Sequence, residues 1–123
     1  MENTYRCILI DPLENEIKYV EIERNGKELQ QIYNLLDCDM IESAMKLTDT
    51  HDDYYQCDTI YVDEEYHLVD RDDVFGFRYV EGPNRFYDFY GKGIIIAGDL
   101  DGNWVSCYSK LEDVKKKILF FKQ

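Results

Sequence analysis

The chain has 123 residues, 45% of them hydrophobic and 15% aromatic, with 26 Asp and Glu against 14 Lys and Arg for a formal charge of -12. That length suits one domain, residues 1–123, and the apolar content is enough to bury one core, which argues against disorder. A net charge of this sign counts against direct contact with nucleic acid or an anionic membrane and leaves basic proteins and cations as partners.

Glu2, Asn3 and Thr4 lead straight into Tyr5–Ile10, a run of strand formers stopped at Asp11-Pro12. There is no leader-like apolar segment and no apolar run of about 18 residues, so a cytoplasmic protein is expected. Ile17 to Ile22 alternates apolar and polar residues and predicts the second strand of an antiparallel hairpin. Leu29, Ile32, Tyr33 and Leu36 fall at i, i+3, i+4 and i+7, which predicts a short helix over Lys27–Leu36 with Lys27, Gln30, Gln31 and Asn34 facing water.

Met40–Leu47 reads as a strand, Thr48–Asp53 as a loop, Thr59–Val62 as a strand and Asp63-Glu64-Glu65 as a turn tip. Val74–Tyr90 holds no single period; an extended segment through Phe77–Val80, a turn at Gly82-Pro83 and one helical turn from Asn84 are expected. Ile94-Ile95-Ile96-Ala97 between Gly93 and Gly98 is the clearest buried strand, and Trp104–Tyr108 returns beside it. Ser109-Lys110-Leu111-Glu112 matches a capping box, opening a last helix whose apolar stripe is Leu111, Val114, Ile118 and Phe121. The sum is an α+β fold: one mostly antiparallel sheet of five or six strands with two amphipathic helices packed on it.

Few motifs carry chemistry. Asp99-Leu100-Asp101-Gly102-Asn103 begins like a calcium loop, but Trp104 stands where that loop needs glycine and Lys110 where it needs a bidentate glutamate, so it reads as a hairpin turn. Cys7, Cys38, Cys57 and Cys107 are spread singly and read as small buried apolar residues. His51 and His67 lie in segments read as exposed loops. Serine-hydrolase, phosphate-loop and dinucleotide patterns are absent, and Gly91-Lys92-Gly93 opens a strand and reads as flexibility before it. No catalytic residue, cofactor or metal site is expected.

The charge is concentrated instead. Between Asp37 and Glu81 there are 14 of the 26 acids against Lys46, Arg71 and Arg78. Within that stretch carboxylates alternate with rings, and burying an unpaired charge is too costly for a small domain, so an acidic, aromatic surface is expected. Its candidate partner-binding residues are Asp52, Asp53, Tyr54, Tyr55, Asp63, Glu64, Glu65, Tyr66, Asp70, Asp72 and Asp73. The 11 tyrosines exceed what the core needs and fit either an interface, with a second copy or another protein, or the cover of a thin sheet. The alternative is a small-ligand or signalling-nucleotide binder, with Arg78, Arg85 and Lys92 on phosphates and Tyr87 or Tyr90 stacked on a base.

The hairpin ending in Asp11-Pro12, the helix closing with Leu35-Leu36-Asp37-Cys38-Asp39, the strand Ile60–Glu65, the Gly91–Gly98 run, the Asp-Gly turn and the terminal helix together resemble an uncharacterised family. Its members are short proteins of bacteriophages, plasmids and their bacterial hosts, classed only as a domain of unknown function. The chain departs from that pattern in a longer, more aromatic insert from His67 to Tyr90. The resemblance implies a small accessory protein of a mobile element acting in a bacterial cytoplasm, and it brings no active-site residues with it. The expected function is inhibition by nucleic-acid mimicry of a host protein with a basic surface, one that handles nucleic acid or serves defence.

Overall fold

The computed structural model describes residues 3–48, 50–51, 56–66 and 73–123. The strands are β1 (Thr4–Asp11), β2 (Glu16–Glu23), β3 (Ile41–Leu47), β4 (Asp58–Asp63), β5 (Phe75–Gly82), β6 (Arg85–Tyr90), β7 (Gly93–Gly98), β8 (Trp104–Val105) and β9 (Ile118–Lys122), and the helices are α1 (Glu28–Leu36) and α2 (Leu111–Lys117). The expected α+β fold with a six-stranded antiparallel sheet is what forms: β2-β1-β7-β4-β3 with β8 on β7. A second, three-stranded antiparallel sheet, β6-β5-β9, is added to it.

Strand periodicity divides the core in two. Ile8 and Ile10 of β1, Ile60 and Val62 of β4 and Ile95 of β7 pack against Phe77, Tyr79 and Ile118 of the smaller sheet. The residues between them, Cys7, Leu9, Ile94 and Ile96, turn the other way onto Ile32 and Leu36 of α1. The larger sheet is therefore the middle layer, with the helix on one face and the smaller sheet on the other. A continuous apolar run such as Ile94–Ile96 is what a strand covered on both faces requires.

Three local expectations are corrected. Ile118–Lys122 pairs with β5 rather than extending α2, placing Ile118 and Phe120 inward and leaving Leu119 exposed. Consecutive β-branched and aromatic side chains satisfy a pleated sheet better than one helix stripe. Arg85–Tyr90 is likewise a strand, paired with β5 across a register shift between Val80 and Gly82, where a helical turn is expected from the sequence. The capping box does not form, because α2 has no side-chain cap and Ser109 turns its hydroxyl to Asp58.

On α1, Leu29 is exposed and Ile32 and Leu36 carry the burial. Gln31, expected to face water, fastens the helix to β2: its Oε1 accepts from the Glu23 amide at 2.8 Å and its Nε2 donates to the Glu23 carbonyl at 2.8 Å. The Asp-Gly turn is as read, with Gly102 at φ 84° and Asp99 Oδ1 accepting from the amides of Asp101 and Asn103.

All four cysteines are free; Cys7, Cys57 and Cys107 are buried and Cys38 is half-buried. Burial pushes the Cys7 and Cys107 thiols up, to about 12 for Cys107. In the unfolded chain a thiol ionises near about 8.5. Stability from these groups is therefore whole below that pH and is lost as the pH rises through and beyond it. The melting temperature is expected to be level from pH 7 to about 8.5 and to fall by pH 10, an effect that Cys7→Ala and Cys107→Ala variants reduce.

Candidate functional site

One end of the larger sheet gathers acids from separated parts of the sequence. Gly93 pairs with Ile10 on one side and Val62 on the other, and Asp63 pairs with Ile41. The β1–β2 turn, the α1–β3 connection, the turn after β4 and the Gly91-Lys92 entry to β7 consequently lie side by side. They bring Asp11 and Glu14, Asp37 and Asp39, and Asp63, Glu64 and Glu65 to a common edge.

Each acid is placed by local structure. Asp11 Oδ1 accepts from the amides of Leu13 at 3.0 Å and Glu14 at 3.3 Å, an Asx turn that suits the Asp-Pro start. Asp37 ends α1 in the left-handed region at φ 53°. Asp63 Oδ1 accepts from the Glu65 amide at 2.9 Å, and the Glu64 amide donates to the Met40 carbonyl at 3.1 Å, joining the last two connections.

Lys92 is the cation that Asp11 and Asp37 share. Its Nζ lies 2.6 Å from Asp37 Oδ2 and 3.7 Å from Asp11 Oδ2, with only 16% of the side chain exposed. Burial alone would lower its pKa, but the hydrogen bond to Asp37 and the charges of Asp11 and Asp37 hold it above the ordinary lysine value. The Cys38 thiol is pushed up to about 11, first by burial and then by Asp63, with Asp39 and Asp37 adding. Beside Lys92 a pocket of about 200 Å³ opens between Leu13, Asp37, Tyr66, Asp73 and Phe75.

The residues expected at a partner surface separate as follows. Asp63, Glu64 and Glu65 stand at this edge, and Asp73 is exposed beside the pocket, 3.3 Å from Lys122. Asp52, Asp53, Tyr54, Tyr55, Asp70 and Asp72 lie outside the described residues, as does His67. Tyr66 is corrected: it is 8% exposed, its hydroxyl accepts from the Phe75 amide at 3.2 Å, and its ring covers Gly91. A Cβ at Gly91 would come within 2.8 Å of that ring, and φ is 77° there, so this glycine meets a close contact rather than supplying flexibility.

Asp58 is a second correction. It belongs to the acidic stretch by sequence, yet it is fully buried and accepts from the amides of Tyr108 and Ser109, both at 2.8 Å, and from the Ser109 hydroxyl. Asp11 and Glu14, by contrast, were missed at the edge because they precede the acidic stretch; the Asp-Pro turn signal was the available clue.

The small-ligand constellation does not assemble. Arg78 is bound to Asp88 through two hydrogen bonds of 2.7 and 3.0 Å and lies 3.9 Å over the Phe86 ring. Arg85 reaches Glu81 at 3.4 Å and the Tyr87 hydroxyl at 3.4 Å. Tyr87 and Tyr90 fall on opposite faces of β6, and Lys92 is engaged by carboxylates. These cations are spent on the protein's own acids. Among the described residues no group of three or more His, Cys, Asp or Glu is arranged to hold a metal ion. His51 lies against Tyr108, ring centroids 4.7 Å apart.

No family model, curated protein or solved structure matches the chain. Among the described residues no helix is long and apolar enough to cross a membrane. What the fold and this edge define is a small α+β domain with one strongly negative end.

Proposed function

We propose that the protein is a non-enzymatic binding protein whose acidic end occupies a basic surface of a partner protein. In the setting that the resemblance implies, that partner is a nucleic-acid-handling or defence factor of a bacterial host, inhibited by mimicry of its nucleic acid. The observation that carries this reading is the gathering of acids from three connections at one sheet edge, where Lys92 engages Asp11 and Asp37 alone among them. A carboxylate row fixed by strand ends and Asx turns is pre-organised, so little ordering entropy is lost when a complementary surface closes on it. The C-terminus of α1 points its partial negative charge to the same edge, and that helix has no basic residue in its last turn. Such a field accelerates encounter with a cationic partner and repels a like-charged one.

The test is affinity capture from a bacterial lysate, followed by binding measurements on the captured protein. Binding is expected to weaken at least about tenfold between 50 and 500 mM salt and to compete with duplex DNA. A variant carrying Asp63→Asn, Glu64→Gln and Glu65→Gln should lose most of it, as should one with Asp52, Asp53, Asp70, Asp72 and Asp73 all changed to Asn. Binding that survives both neutralised variants and high salt would end this reading.

A further inference from the structure

The smaller sheet has one face on the core and one that no described element covers. Strand parity assigns the outer face. Phe77, Tyr79, Phe89, Ile118 and Phe120 point inward, so Val80, Phe86, Arg78, Asp88 and Leu119 point outward, with Tyr90 and Phe121 beside them. Cross-strand pairing orders these residues in rows: Val80 beside Phe86, Leu119 and Asp88 on either side of Arg78, and Phe121 and Tyr90 on either side of Gly76.

The rows form a flat aromatic and aliphatic face. Leu119 is 60% and Phe86 52% exposed. The Tyr90 and Phe121 rings meet edge to face at 5.7 Å above Gly76, where a Cβ would come within 2.4 Å of the Phe121 ring and clash. A bare glycine thus lets two rings lie down across the strand. Contiguous apolar rows exposed on one sheet face are the kind of patch that a partner covers.

Charge selects the occupant. A chain with 26 acids and 14 bases repels its own copies over most of its surface. On this face the charges are Arg78 and Asp88, bound to each other, so the face is locally neutral. The pair is also self-complementary. A two-fold axis through it sets each Arg78 against the other protomer's Asp88 and each apolar row against its counterpart. The acidic end belongs to the turns and strand ends of the larger sheet, and its Asp63 lines a cleft shared with Asp88 at the β6 edge.

We propose that the outer face of the smaller sheet is a homodimer interface, in which β6-β5-β9 of two protomers stack face to face about a two-fold axis. The arrangement is isologous: one patch serves both protomers, as in most soluble homo-oligomers. Stacked sheets pack about 10 Å apart, near enough for Phe86 and Leu119 to interdigitate with their copies. The dimer carries two acidic ends, and its formation does not depend on what those ends bind.

Sedimentation equilibrium of the full chain tests this over roughly 1 to 200 µM. The wild type is expected to approach twice the mass of the single chain. Leu119→Glu and Phe86→Glu should each remain monomeric, with the far-ultraviolet circular dichroism of the wild type confirming that these exposed sites leave the fold intact. Arg78→Asp alone and Asp88→Arg alone should also be monomeric, but mixed in equal amounts they should form a heterodimer, because one protomer then supplies only acids and the other only bases at the axis. A wild type that stays monomeric throughout, leaving the face to another protein or to a small aromatic ligand, overturns the proposal. So does a dimer that persists in Leu119→Glu and Arg78→Asp, or a mixture that fails to associate.

Discussion

Replacing Asp58 with alanine is expected to destabilise the protein by about 3–5 kcal/mol, because three donors lose their acceptor inside the core. Its carboxylate receives the amides of Tyr108 and Ser109 and the Ser109 hydroxyl, and its own amide donates to Thr50 Oγ1 at 2.9 Å. Thr50 Oγ1 donates in turn to the Leu47 carbonyl at 2.7 Å. The side chain therefore ties the approach to α2 to the start of β4, and the backbone amide of the same residue, through Thr50, ties that start to the end of β3. Hydrogen bonds to a charged acceptor are stronger than neutral ones, and the Asp58 carboxylate that receives these is itself fully buried.

For a domain of this size the loss corresponds to a fall in melting temperature of roughly 10–20 °C. Asp58→Asn keeps one acceptor oxygen and should lose about half as much. Asp63→Asn, at the exposed edge, should stay within about 0.5 kcal/mol. Chemical denaturation of the three variants measures this directly. An Asp58→Ala variant within 1 kcal/mol of wild type would show that the clasp contributes little.

Asp58 also shows what local sequence does not encode. Patterns within a few residues of one another were legible: the alternation in β1 and β2, the i, i+4 apolar pair Ile32 and Leu36, the Ile94–Ile96 run and the Asp-Gly turn all formed as read. Each is a local signal whose meaning survives folding. Asp58 was grouped with surface acids because its three donors lie some 50 positions away in Tyr108 and Ser109, and no local pattern announces them. Ser109 was assigned to a capping box for the same reason, since a nearby glutamate was visible and a distant buried acid was not.

Ile118 and Phe121 fit a helical stripe in spacing. Only the unpaired edge of β5 decides that the same residues form a strand. The acidic end was half legible. Composition located Asp63, Glu64 and Glu65, while the contribution of Asp11 and Glu14 depends on β1 and β4 ending at the same edge beside β7.

Phe77→Ala is the second large effect expected, about 3–5 kcal/mol, because the ring joins the two sheets. Phe77 is fully buried in β5, paired across the strands with Phe89 and Phe120, and its ring stands over Gly93 of the larger sheet. A Cβ at Gly93 would lie 2.7 Å from the Phe77 ring, so the glycine is the seat into which that ring fits. Gly93→Ala in the wild type should overpack this contact and destabilise by about 1–3 kcal/mol. In the Phe77→Ala background the added methyl enters emptied space, and Gly93→Ala should then be nearly neutral or stabilising.

The coupling between the two changes is expected to exceed about 1 kcal/mol in a double-mutant cycle. Additive effects would mean that the ring and the glycine do not share this contact. Native-state hydrogen exchange gives a second reading of the same joint. With Phe77 truncated, amides of β5, β6 and β9 should exchange before those of β1 and β7, because the smaller sheet loses its main attachment while the larger keeps α1. Uniform loss of protection across both sheets would instead make the two layers one cooperative unit, held by contacts spread over the whole interface.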